Sequence, residues 1–82
     1  MSWARIVGRN LRRLRSERGI TQEELAHESK VALRLLGGIE RGQRNPSVEV
    51  IGRLASALGA HPRDLFDEAI DAVPLDTAAQ SR

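Results

Sequence analysis

Arginine supplies the side chains most able to do chemistry in this 82-residue chain: of thirteen basic residues, all but Lys30 are arginine. A guanidinium presents a planar fork of donors that fits a phosphate or the edge of guanine. Residues 1–63 carry twelve basic residues against six acids, whereas residues 64–82 carry five acids against Arg82 alone. The formal net charge of +2 therefore hides two regions of opposite sign. Such asymmetry suggests an anionic partner for the first three-quarters of the chain. A solvated basic helix face would give the same arithmetic.

Other chemistries fail early. The chain has no cysteine, so neither a disulfide framework nor a thiolate nucleophile is available. His27 and His61 are too few for a zinc site without carboxylate help. His27-Glu28 begins like a zinc-protease motif, but position 31 is Val31 rather than histidine. Asp64, Asp67, Glu68 and Asp71 form an acidic cluster, read as a solvated face rather than a metal site. No glycine-rich loop with a lysine follows a strand. No apolar run approaches the roughly 18 residues of a membrane span. Arg5, Gly8 and Arg9 interrupt any secretory pattern at the N-terminus. The expectation is a cytoplasmic binding protein, not an enzyme, with no cofactor, metal or small-molecule ligand.

The elements that position these arginines are all helical. Hydrophobic residues make up 40% and charged residues 29% of the chain, an ordinary globular balance. Trp3 and Phe66 are the only aromatics, so the core must be aliphatic. Ser2 caps a first helix with Trp3, Val7, Leu11 and Leu14 on one face and Arg5, Arg9, Arg12, Arg13 and Arg15 on the other. Gly19 stops it. Thr21-Gln22-Glu23-Glu24 then reads as a reciprocal capping box, stapled by Ile20 and Leu25. A short second helix ends near Ser29, and a tight connection through Lys30 and Val31 leads to a third over residues 32–40. Leu36 and Ile39 point inward there, and Gly42 terminates it. Ser47 caps a fourth helix carrying Val48, Ile51, Leu54, Ala55 and Leu58, which Gly59 ends. Pro62 opens a fifth over about 62–73, with Leu65, Phe66, Ala69, Ile70 and Val73 apolar and Pro74 closing it. Residues 1–73 thus form one compact five-helix, all-α domain, and 74–82 read as a flexible tail.

Two short helices across a tight turn, preceded by a basic helix, suggest a DNA-binding helix-turn-helix at about 21–40. The segments NLRRLRSERGITQEELA (10–26), LGGIERGQRNPSVEVIGRLASALG (36–59) and HPRDLF (61–66) resemble the Cro/repressor-type (xenobiotic-response-element) helix-turn-helix regulators. Small phage-like repressors and restriction-modification controller proteins look most similar. The resemblance implies a lambda-repressor-like fold binding double-stranded DNA, with the third helix in the major groove.

It also implies roles for particular residues. Gln22, at the second helix's N-terminus, would hydrogen-bond a phosphate. Arg41, Arg44 and Asn45 would meet the backbone after the third helix, although Arg41 also suits a helix C-terminus and Arg44 plain solvation. Glu40 would be a structural acid paired with a basic residue of the first helix. Bases would be read from the exposed face of the third helix: Ala32, Leu33, Arg34, Gly37 and Gly38. Of these only Arg34 can fork onto guanine. Leu33 suits a thymine methyl or the edge of the core, and the two glycines suit close approach of backbone to DNA. Lys30 stands where glycine is common and would need either positive φ or a rearranged turn, and Ala32 stands where Ser or Thr usually caps. Lys30 could equally meet a phosphate. Paired modules on a palindromic operator would raise affinity, with Leu65, Phe66, Ile70 and Val73 making a homodimer contact or else closing the monomer's core. The alternative function is an antitoxin, holding a protein partner through its acidic C-terminal segment while binding its own promoter.

Overall fold

Each helix must begin with backbone amides that have no partner inside it, and a side chain from the preceding residue answers one of them in the first, second and fourth helices. In the computed structural model, which describes residues 2–68, Ser2 accepts from the amide of Arg5 and starts α1 (Trp3–Arg18). Thr21 and Glu24 close the reciprocal box of α2 (Gln22–Ser29) with bonds of 3.0 and 2.8 Å. Ser47 accepts from Val50 at 3.1 Å and opens α4 (Val48–Leu58). Between them, α3 (Leu33–Glu40) starts from Ala32 with no side-chain cap. No helix among the described residues is long and apolar enough to cross a membrane.

The turn from α2 to α3 takes the strain expected of it. Lys30 sits at φ 58°, the one described non-glycine residue with positive φ, a conformation costing on the order of 1 kcal/mol. Its amide bonds back to α2, and Val31 donates to the Ala26 carbonyl at 3.2 Å. Those bonds close the turn tightly enough to bury Val31.

A fifth α-helix does not form over the described part of its range. Pro62–Phe66 is a 3-10 turn of five residues, and Asp67 leaves it with extended backbone. The remainder of the expected helix, including Ala69, Ile70 and Val73, lies outside the described residues, as does the 74–82 tail. Asn10 of α1 ties the chain down where it leaves the turn, its side-chain amide donating to the carbonyls of Leu65 at 2.9 Å and Asp67 at 3.0 Å, which suits the extended backbone at Asp67. His61 caps the turn at the Arg63 amide, and Asp64 accepts from His61 at 3.0 Å.

One aliphatic core joins the elements, built from Val7 and Leu11 of α1, Leu25 and Ala26 of α2, Leu36 and Ile39 of α3, and four residues of α4. Leu65 enters it from the 3-10 turn and is fully buried. Two residues expected inside are not there. Trp3 is 55% exposed and Val48 89% exposed, each at the open first turn of its helix. Ile6 and Asn10 take the inward positions on α1 instead. The tightest approach is at Gly8, where a Cβ would stand 2.2 Å from the backbone oxygen of Ile39. Glycine there lets α1 cross α3 almost backbone to backbone.

Candidate nucleic-acid interface

An ion pair under the site fixes α3 against α1. Arg15 donates to both oxygens of Glu40, Nε at 2.6 Å and Nη2 at 3.1 Å, and its Nη1 donates to the Ile20 carbonyl at 2.8 Å. The Glu40 side chain is only 3% exposed. The hydrogen bond to Glu40 raises the Arg15 pKa above its ordinary value, the pair's attraction adding to it and partial burial opposing. Glu40 is thus the scaffold acid expected of it, and its first-helix partner is Arg15. The same carboxylate accepts from Gln22 Nε2 at 2.9 Å. Gln22 is therefore tethered at the start of α2, where helix amides and partial positive charge also collect.

Residues 34, 37, 38 and 41 fall on one side of α3 by their spacing, opposite the buried Leu36 and Ile39. Arg34 and Ala32 are exposed, and Leu33 is 43% exposed. Gly37 and Gly38, expected as bare backbone, are buried. Long side chains cover them. A Cβ on Gly37 would meet Arg41 Nη1 at 3.2 Å and Gln22 Oε1 at 3.7 Å, and one on Gly38 would meet Arg44 Cγ at 2.5 Å. The two glycines thus gather Gln22, Arg41 and Arg44 over one patch, with Arg34 one turn earlier. Arg41 Nε also donates to Gln43 at 3.2 Å.

Asn45, next to Arg44 in the chain, borders a second feature. With Trp3, Val48 and Phe66 it lines an apolar groove of about 150 Å³ between α1, α4 and the 3-10 turn. Trp3 and Phe66 pack there with ring centroids 6.1 Å apart, and Phe66 is 42% exposed. Leu65, expected at a subunit contact, is instead fully buried in the monomer's own core. Ile70 and Val73 lie outside the described residues.

Sequence reasoning also left residues unassigned. Arg5, Arg9 and Arg12, at helical spacings of four and three, line a polar cleft of about 210 Å³ with Glu40, Arg41 and Gly42. Their shared face was visible in the spacing, but its position beside the end of α3 was not.

The family model for helix-turn-helix proteins, HTH_3, matches residues 11–65. The chain belongs to the XRE-type helix-turn-helix family. Among similar proteins is the uncharacterised HTH-type transcriptional regulator y4dJ of Sinorhizobium fredii, 46% identical over 59 residues, covering 72% of this chain and 77% of that one. Control protein C.BamHI of Bacillus amyloliquefaciens is 38% identical over 63 residues, covering 76% and 78%. The crystal structure of the restriction-modification controller protein C.AhdI of Aeromonas hydrophila superposes with a TM-score of 0.75 at 46% identity, over 77% of this chain and 96% of that one. In this helix-turn-helix protein the motif itself is α2, the Lys30 turn and α3, and the ion pair of Arg15 with Glu40 braces it from α1.

Proposed function

We propose that this chain is a sequence-specific, double-stranded DNA-binding transcriptional regulator, acting as a homodimer on a palindromic operator with α3 in the major groove. The observation that carries the reading is the convergence of Gln22, Arg41 and Arg44 over Gly37 and Gly38, with Arg34 exposed on the same side of α3. No carboxylate pairs with Arg34 or Arg44 among the described residues. In the bound state Arg34 reads guanine, Leu33 and Ala32 contact neighbouring bases, and Gln22, Arg41, Arg44 and Asn45 hold phosphates. Such a protein needs no catalysis, and its target places it in the cytoplasm.

Titration on a cognate duplex, at several salt concentrations, separates these roles. Arg34→Ala is expected to lose roughly 1–3 kcal/mol of discrimination at one base position while leaving non-specific binding nearly intact. Arg44→Ala should weaken every sequence alike and reduce the salt slope by about one. Affinities that are equal and salt-independent in both variants and the parent would sink the assignment.

The homodimer is supported by the exposed trio Trp3, Val48 and Phe66 around one groove. Exposed apolar residues grouped in this way suit a protein interface better than they suit water. Sedimentation at tens of micromolar should give a dimer, and Phe66→Glu should shift it toward monomer. A parent that sediments as a monomer there contradicts the paired arrangement. The antitoxin alternative rests on residues 64–82, most of which lie outside the described residues.

A further inference from the structure

Two adjacent glycines inside an eight-residue helix need a reason, because each weakens the helix relative to alanine. Packing between elements supplies that reason at Gly8, where the atoms nearest a Cβ are backbone of α3. It does not at Gly38, where the three nearest atoms all belong to one side chain: Arg44 Cγ at 2.5 Å, Cδ at 3.5 Å and Cβ at 3.6 Å. We propose that Gly38 is a seat for Arg44, a positioning residue that fixes where the guanidinium of the loop stands before DNA arrives, with Gly37 serving Arg41 more loosely. The inference rests on the DNA-binding reading above.

The geometry of contact explains why the two glycines differ. At Gly38 the obstructed atom is in the stem of Arg44, so an added methyl forces a different rotamer at the base of the side chain. At Gly37 the nearest atom is the terminal Nη1 of Arg41 at 3.2 Å, which a small rotation clears. An arginine stem lying along a helix surface buries its methylenes while the charged end stays free to pair. Part of its rotamer freedom is then given up before binding rather than during it, which favours the complex. Arg34 and Arg44 are both exposed; what separates them is that the stem of Arg44, and not that of Arg34, lies over a glycine of α3.

The seat predicts a split between stability and affinity in Gly38→Ala. Its thermal midpoint should equal or exceed the parent's, because alanine restores helix propensity. Its affinity should fall about 3- to 10-fold, on cognate and unrelated duplexes alike. Gly37→Ala should lose less. In an Arg44→Ala background, Gly38→Ala should cause no further loss. Parent-like affinity in Gly38→Ala overturns the seat. So does an undiminished loss in the Arg44→Ala background, which would mean that the glycine meets DNA directly. Nitrogen relaxation of the arginine Nε groups in free protein tests the seat without DNA. Arg44 should be more ordered than Arg34 in the parent, and should loosen in Gly38→Ala. Equal mobility of the two arginines in the parent refutes the seat even if Gly38→Ala cannot be made. Absent DNA binding by a parent with an ordered Arg44 would instead count against the function.

Discussion

Gly8→Ala should lower the thermal midpoint by about 10–20 °C, although alanine is the better helix former. The new Cβ would stand 2.2 Å from the Ile39 carbonyl oxygen, 3.0 Å from that of Glu40 and 3.2 Å from the Glu40 carbonyl carbon. All three atoms are backbone, so no rotamer change can clear them. Helices α1 and α3 must separate by roughly 1 Å to restore ordinary contact. That movement opens space beside Leu11, Leu36 and Ile39, each fully buried. Overpacking of this kind costs about 3 kcal/mol, against about 1 kcal/mol returned in helix propensity. The net loss of about 2 kcal/mol or more is a large share of a small domain's stability. Gly52→Ala is the matched control, since a Cβ there meets nothing within 4 Å. It should raise stability by about 0.5–1 kcal/mol. A Gly8→Ala protein as stable as the parent would mean that the two helices do not cross at this distance.

Arg15→Ala should cost about 2–4 kcal/mol, read as a shift in denaturant midpoint at unchanged slope. It leaves the Glu40 carboxylate, 3% exposed, with the bond from Gln22 but without the guanidinium, and strips the Ile20 carbonyl of a side-chain donor. The estimate sits below that for fully buried pairs because the Arg15 side chain is 15% exposed and water can reach its site. A double variant, Arg15→Met with Glu40→Leu, should recover much of the loss, because removing both charges removes the desolvation penalty with them. It should still bind DNA less well than the parent, since Gln22 loses its tether. The pH dependence has a definite sign. The raised pKa of Arg15 means that its contribution is complete below the ordinary arginine range and is lost only as pH rises through the raised value. Between about pH 6 and 9 this contribution should therefore be flat. Full recovery of both stability and affinity in the double variant would show that the carboxylate does nothing for Gln22.

How much of this was visible beforehand depends on how local each feature is. The Thr21–Glu24 box, the caps at Ser2 and Ser47 and the left-handed Lys30 involve residues within four of one another. Their chemistry can be read directly from adjacent letters. Glu40 was recognisable as a scaffold acid, but six arginines of α1 competed as its partner, and the crossing of α1 and α3 at Gly8 is what brings Arg15 to it. Gly8 itself looked like nothing more than an interruption in the N-terminal apolar pattern. The Gly37-Gly38 pair was visible and its cover was not, because the direction of a long side chain is set by tertiary space rather than by spacing. The fifth helix misled for a related reason. Its apolar period was visible, yet over 62–66 the chain forms a 3-10 turn that Asn10, more than fifty residues earlier, pins at the carbonyls of Leu65 and Asp67.

That last contact bears on the order in which the protein can complete itself during synthesis. The amide of Asn10 emerges early, within the first helix, while one of its two acceptors follows 55 residues later and the other 57. Until the chain has been made past Leu65, α1 carries a polar group on its inward face with neither partner, and Leu65 has not filled its place in the core. A nascent chain stopped at the end of α4 would already contain the whole helix-turn-helix, yet would hold it against an unfinished first helix. Final locking of the motif therefore waits on the turn that is translated after it.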